Sequence, residues 1–369
     1  GFRERFERLL ADYAVDTVFP ATDSLVEAFS QWHVANVTFI TTNPETAKLL
    51  MSKSLLYQTL SGVVPVPKIY TSGAVVFPAY AKPDCGAGSR GHQVLHTCDD
   101  AVSATKKNML VMEYLPGEEY TVDCINDMEG RLLFCGPRLR GSIGRGIALG
   151  TKTVVDKCIE ERIRAIVRHL RIEGPWFAQF KRNAAGDPIL LEVNARVGGA
   201  IIASRFAGIN IPLMALFLFK GFHVETPAFQ AGLVVNRSLA NRVEGPAVTC
   251  VLWDLDDTLL RKDGKPDPDA MGVLFDCHNR GIKQLLLTKN PEAMHLIEKN
   301  AIPAFFEEVL CTENKLVVIG DLLKRHGVRA SECIEVNDSN TEKLALNRML
   351  PDLRTIGPDA LEVLGREKI

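Results

Sequence analysis

The feature that most limits how this chain can fold is a change of rhythm near residue 248. An apolar strand from Val248 to Trp253 is followed by a helical pattern, a strand at Lys283 to Thr288, two helical stretches, a strand at Cys333 to Val336 and a last helix. Strands alternating with helices read as a parallel sheet with crossover connections, because parallel neighbours cannot be joined by a tight hairpin. Upstream the pattern differs. Past Val63-Val64-Pro65-Val66-Pro67 come short strands broken by turn residues, a long helix at 156 to 171, and strands around Trp176 to Lys181 and Pro188 to Val193. The opening shows a helical period at Phe2, Phe6, Leu9, Leu10 and Tyr13, a strand signal at Thr17-Val18-Phe19-Pro20 and a second helix over 46 to 60. A strand so near the start needs neighbours, so residues 1–45 read as a partial α/β portion. The expected division is therefore 1–45, a mixed α+β domain over 46–225, a linker over 226–247 that ends in Glu244-Gly245-Pro246, and an α/β domain over 248–369.

Charge excludes some partners. The 369 residues carry 43 Lys and Arg against 45 Asp and Glu, a formal charge of −2, so no basic field draws in nucleic acid or an anionic membrane. The longest apolar run, Ile211 to Phe219, contains a proline and is far shorter than the ~20 residues of a membrane span. A charged opening stretch without an apolar core gives no sign of a signal peptide, and a cytoplasmic location is the expectation. The 9 Cys include no C-x-x-C pair, which points to reduced thiols rather than disulfides or structural zinc.

Three stretches of the first part carry chemistry. Ala81-Lys82-Pro83 runs into Gly86-Ala87-Gly88-Ser89-Arg90-Gly91, a cation at a strand end beside glycines whose N–H groups can meet phosphate oxygens. Val111 to Asp123 reads as strand, break and strand, a backbone able to meet an adenine edge while a carboxylate holds ribose hydroxyls. In Phe177-Ala178-Gln179-Phe180-Lys181 and Leu190-Leu191-Glu192-Val193-Asn194-Ala195-Arg196, alternation puts Glu192 and Asn194 on one face, across a Gly186-Asp187 turn from Gln179. Converging oxygen donors of this kind suit Mg²⁺ with bound phosphate.

Together with Ser52-Lys53 ahead of Pro65-Val66-Pro67, these motifs make the chain from about Asp16 to Gly221 resemble an ATP-grasp carboxylate–amine ligase. It is especially similar to the halves of carbamoyl phosphate synthetase large subunits and to amino-acid ligases. The resemblance implies an ATP-grasp fold with a partial Rossmann-like N-terminal portion. It implies that Lys53 and Lys82 contact phosphates or adenine, that the loop with Gly86, Gly88 and Ser89 closes over the phosphates, and that Glu113, Tyr114 and Leu115 line the adenine pocket. Glu119 would hold the ribose. Gln179, Glu192 and Asn194 would bind Mg²⁺ or Mn²⁺, and Arg196 would steady the transferring phosphate. Gln179 stands where an acidic residue is commoner. Arg138, Arg140 and Arg145, set among glycines, are candidates to grip a substrate carboxylate by bidentate pairing.

The second part presents Asp254-Leu255-Asp256-Asp257-Thr258 at the C-terminal end of an apolar strand, where open parallel sheets bind ligands. Acids two residues apart repel unless a cation lies between them, and Mg²⁺ would leave one oxygen free to attack phosphorus. This block resembles the first motif of haloacid-dehalogenase-like (HAD) phosphatases, with Thr288, Lys315 and Asp338 at the later motifs. The resemblance implies a small HAD-like Rossmannoid domain without a large cap. In it Asp254 would be nucleophile, Asp256 general acid/base, Thr288 and Lys315 phosphate partners, and Asp338 a metal ligand with Asp254 and Asp256. The branch it resembles includes magnesium-dependent phosphatases and glyceryl-transfer proteins of polyketide pathways.

The expectation is a cytoplasmic bifunctional enzyme. An ATP-dependent ligase would activate a small carboxylate as acyl phosphate for attack by an amine, and a Mg-dependent phosphatase would act on a phosphorylated or carrier-protein-tethered metabolite. A homodimer is open, as are two rival readings: a ligase with a non-catalytic docking module, and a nucleotide sensor without turnover.

Overall fold

The computed structural model describes every residue except 72–74, 87–90, 142, 145–146, 238–246, 303–304 and 365–369, and omits the side chains of 143, 144, 147 and 148. The chain divides into two compact units, Gly1–Ser238 and Leu239–Ile369. Among the described residues no helix is long and apolar enough to cross a membrane.

The first unit is built on a six-stranded antiparallel sheet. Its strands run in the order Pro188–Asn194, Gly174–Arg182, Glu119–Asn126, Leu132–Arg140, Gly150–Thr153 and Val234–Asn236. The helix Lys157–His169 drops Ile159, Ile163 and Ile166 onto this sheet against Trp176, Phe180 and Leu190. That spacing marks one face of a helix. The buried indole of Trp176 donates to Asn126 Oδ1 at 2.9 Å, and Asn126 in turn donates to Ile172 O at 2.8 Å, so these two buried side chains answer each other's polar atoms. A smaller antiparallel sheet, Gln93–Leu95, Ala79–Pro83 and Met109–Glu113, carries the first lysine motif. At the N-terminus, Thr17–Val18 pairs in parallel with Thr38–Phe39 beside a cluster of Phe6, Phe29, Trp32 and Phe39.

Several expectations are corrected. The helix expected over 46–60 is two, Pro44–Leu50 and Lys53–Leu60, because Ser52 leaves helical geometry to cap the second. Its Oγ accepts from Leu55 N at 3.2 Å and donates to Asp84 Oδ2 at 2.8 Å. Part of the stretch expected as linker, Val234–Asn236, is an edge strand of the large sheet, paired with Gly150–Thr153.

The second unit is a five-stranded parallel sheet in the order Glu308–Cys311, Lys283–Thr288, Cys250–Trp253, Cys333–Val336 and Arg354–Ile356. The outer strands Glu308–Cys311 and Arg354–Ile356 escaped the sequence reading, being three or four residues long and only half buried. The central strand is wholly buried, with Val251 and Trp253 on one face and Cys250 and Leu252 on the other.

One glycine is required by contact. Gly117 N donates to Arg182 O at 2.9 Å, tying the turn before Glu119–Asn126 to the strand Gly174–Arg182, and a Cβ there would lie 2.7 Å from that same oxygen. Replacing Gly117 by Ala is expected to lower unfolding stability by about 1–3 kcal/mol, the cost of overpacking, as read from urea denaturation.

Candidate functional site

The strand Gly174–Arg182 sets Gln179 directly opposite Glu192 on one side and Thr121 on the other. Between Gln179 and Phe180 the pairing slips by one residue, because Phe180 faces Leu190 and Leu191 is the extra residue of a bulge. The Leu191 carbonyl, freed from the ladder, accepts from Tyr57 Oη at 2.6 Å and from Lys82 Nζ at 3.2 Å. Lys82 also donates to Tyr57 Oη at 2.7 Å. The bulge thus brings the lysine of one sheet to the acidic strand of the other.

Of the residues expected from sequence, Lys82, Glu113, Tyr114, Leu115, Glu119, Gln179 and Glu192 line one cleft of about 590 Å³. Tyr80, His92, Met112, Lys181 and Leu191 complete it and were not anticipated. Two had a signal: Tyr80 and Lys181 lie two residues from Lys82 and Gln179 on their strands, and so on the same faces. Burial lowers the Lys82 ammonium to about 8, although Glu192 pulls the other way, and Lys53 adds to the depression. His92 is pushed down to about 4 by burial and then by the charges of Lys82 and Lys53, while Tyr80 Oη lies 3.0 Å from its Nδ1.

Lys53 lies at the base of the glycine loop. Its Nζ donates to Asp84 O at 3.2 Å and Gly86 O at 2.9 Å, and Gly86 adopts φ +143°. Gly88 and Ser89 lie outside the described residues. Glu113 Oε1 accepts from Lys68 N at 2.9 Å, and Glu119 pairs with Arg140 at 3.0 Å.

The arginines expected to grip a substrate carboxylate are placed differently. Arg138 is buried and gives Asp123 a bidentate pair at 2.8 and 3.1 Å, with Ser204 Oγ donating to the same carboxylate at 2.7 Å. A guanidinium so committed is a structural brace. Arg140 serves Glu119, and Arg145 lies outside the described residues. Arg196, expected beside phosphate, is paired with Asp23 at 2.7 and 3.2 Å.

Gln179 and Glu192 offer the cleft oxygen donors with a single formal negative charge, a set suited to a divalent cation that arrives with phosphate oxygens. Asn194 is buried and turns to a neighbouring small cavity. Its Nδ2 has no hydrogen-bond partner among the described residues. No group of three or more His, Cys, Asp or Glu side chains that could hold a metal occurs among the described residues, in either unit.

In the second unit, Asp254 follows the central strand and its N donates to Val336 O at 3.0 Å, so the ends of adjacent strands adjoin. Asp254 Oδ2 pairs with Lys315 Nζ at 2.8 Å, and Lys315 also meets Glu342 at 3.0 Å. Burial raises the Asp254 carboxyl against the pull of Lys315. Glu342 is held at about 2: burial opposes this, but Lys289, Asn337 and Lys315 prevail. Asn337 Nδ2 bridges Glu342 at 3.0 Å and the buried Glu335 at 2.7 Å. Thr288 is fully buried and accepts from Asn290 N at 3.1 Å, and Asn290 Nδ2 holds the exposed Asp256 carboxylate at 3.0 and 3.1 Å. Asp338, expected as a ligand, is exposed. Glu342 is the acid drawn into the Asp254 network instead, one turn into the helix Asn340–Met349 and therefore beside Lys315.

A family profile described as "ATP-grasp in the biosynthetic pathway with Ter operon" matches residues 105–239. The chain carries an ATP-grasp domain. Over 189 residues it is 30% identical to carnosine synthase 1 of Gallus gallus, covering 42% of this chain and 20% of that protein. The chain thus spans about a fifth of the length of this relative. The biotin carboxylase domain dimer of Hydrogenobacter thermophilus 2-oxoglutarate carboxylase, in complex with MgADP, ADP and bicarbonate, is similar in fold. Its TM-score is 0.54 at 14% identity, over 63% of this chain and 60% of that one. An N5-carboxyaminoimidazole ribonucleotide synthetase in its ADP complex has a TM-score of 0.50 at 13% identity, over 58% of this chain and 63% of that one.

Two outcomes follow. Arg138→Met strands the buried Asp123 charge and is expected to cost about 3–5 kcal/mol of unfolding stability in denaturant titration. If the cleft takes ADP on the ammonium form of Lys82, the affinity, measured calorimetrically, is expected to fall by up to about tenfold between pH 7 and 9, a dependence that Lys82→Met removes.

Proposed function

We propose that this protein is an ATP-dependent ligase that activates a small carboxylate for attack by an amine. The observation that carries the reading is the convergence of Lys82, Gln179 and Glu192 in one cleft beside the 113–115 hinge. The relative named carnosine synthase 1 and the ADP complexes among the structural neighbours support it.

In this reading the base packs between Leu115 and Leu191, the Tyr114–Leu115 backbone meets its edge, and Glu119 takes the ribose hydroxyls. Lys53 and Lys82 offset phosphate charge. Mg²⁺ would be held by Gln179 and Glu192, with the Asn194 amide at the same strand end, and when bound it neutralises charge on the γ-phosphoryl group. A substrate carboxylate oxygen attacks the γ-phosphorus, the bond to the β,γ-bridging oxygen breaks, and ADP leaves with that electron pair. The amine nitrogen then attacks the acyl carbon, phosphate departs with the C–O bonding pair, and the nitrogen loses a proton. Lysines buried among fixed dipoles are worth more here than in water, and holding both reactants in line supplies much of the rate.

We propose a second activity for residues 248–369, that of a HAD-like phosphatase. The observation that favours it is the pairing of Asp254 with Lys315 at the end of the central parallel strand, with Thr288 and Asp256 on the adjoining loops. Asp254 would attack the phosphorus of a monoester while Asp256 gives a proton to the departing alcohol, and a water would then hydrolyse the aspartyl phosphate. Mg²⁺ would be held by Asp254, the Asp256 backbone and Asp338 or Glu342, and would offset the charge of the transferred group.

One experiment tests both. ADP release is followed across pooled amino acids and small carboxylates with mass detection of products, alongside Mg²⁺-dependent hydrolysis of an aryl phosphate. Asp254→Asn is expected to abolish hydrolysis by at least about 10³-fold and leave ADP release intact. Wild-type ADP release without wild-type hydrolysis favours the docking-module reading of the second unit. No ADP release with any pair would count for a nucleotide sensor.

A further inference from the structure

We infer that Asp23, from the N-terminal portion, is a positioning residue for the metal-binding end of the strand Pro188–Asn194. The inference rests on the nucleotide-and-metal reading of the cleft.

Asp23 begins the helix Asp23–Ser30, behind the capping residue Thr22. Both its carboxylate oxygens accept from Arg196, Oδ1 from Nε at 2.7 Å and Oδ2 from Nη2 at 3.2 Å. A bidentate pair of planar groups fixes direction as well as distance. Arg196 spends its other contacts on the turn that follows Asn194. Its backbone N donates to Asn194 O at 3.0 Å, and its Nη1 to Val197 O at 3.3 Å. Its guanidinium carbon sits 5.1 Å over the ring of Phe177, and Phe177 is the residue directly opposite Asn194 in the sheet. One side chain therefore clamps the end of the metal strand from both sides, and Asp23 sets where that side chain points.

A second observation ties Asp23 to Asn194. Both line the same small pocket, otherwise formed by Val26, Ala47, Leu50, Met51 and Ala195. In that apolar setting the Asn194 Nδ2 is buried and has no protein partner among the described residues. An amide that is not held through its own nitrogen takes its orientation from the backbone that carries it. The direction of Asn194 Oδ1, the atom a divalent cation would use, is thus governed by the Asp23–Arg196 clamp. Groups that orient the ligands of a metal are typically worth ten- to a hundredfold in its affinity. The pair is four-fifths buried, at 16% and 21% side-chain exposure, so salt screens it less than a surface contact.

The test uses the full chain and Mn²⁺ as probe. Mn²⁺ is titrated into protein with saturating ADP and followed by electron paramagnetic resonance, and ADP affinity without metal and thermal melting are measured in parallel. Asp23→Ala is expected to weaken Mn²⁺ binding by about 10- to 100-fold while metal-free ADP affinity stays within about twofold, and Asp23→Glu restores most of the Mn²⁺ affinity. Unchanged Mn²⁺ affinity in Asp23→Ala overturns the inference. So does parallel loss of Mn²⁺ binding, metal-free ADP binding and thermal stability, which marks a purely structural contact. Wild-type protein that binds neither ADP nor Mn²⁺–ADP overturns the reading of the cleft itself, and the clamp's purpose with it.

Discussion

A buried ammonium organises the cleft of the first unit. Lys82 is 3% exposed, and an unpaired charge at that depth would cost several kcal/mol. The chain answers it with the Tyr57 hydroxyl, the Leu191 carbonyl and the nearby Glu192 carboxylate. Those partners come from the helix Lys53–Leu60 and the strand Pro188–Asn194, so one cation holds together elements far apart in sequence. The stabilisation is incomplete, and the lysine's lowered proton affinity records the remainder. A phosphate group entering the cleft would supply what is missing.

The second unit solves a related problem with balanced charge. Asp254 and Glu342 face Lys315 and Lys289 at the end of a parallel sheet, and Asn337 ties this quartet to the buried Glu335. Parallel strands whose faces are apolar leave their C-terminal ends as the natural place for polar side chains, and this unit follows that rule.

Much of the cleft was legible because its residues sit on strands. Alternation put Gln179 and Glu192 on facing positions, and glycine and lysine motifs marked the loop and its base. What escaped were residues whose role depends on packing between distant segments. His92 lines the cleft beside Tyr80, whose hydroxyl meets its ring, and the fate of Arg138 was set by Asp123 and Ser204, neither adjacent in sequence. The arginines looked like free cations among glycines, but sequence has no measure of which carboxylate the fold will bring alongside. The short edge strands Glu308–Cys311 and Arg354–Ile356 were missed for a plainer reason: three or four half-buried residues carry too little periodicity to distinguish strand from loop.

The surplus residue at Leu191 makes the cleft a matter of parity. Side chains on a strand point to alternate faces, so removing one residue there would turn the acid and amide downstream toward the opposite side of the sheet while leaving every amino-acid type in place. Relatives of this domain should therefore tolerate many substitutions around that position yet resist any change in chain length between the Gly186 turn and Asn194, since counting, more than chemistry, keeps the donors pointed inward.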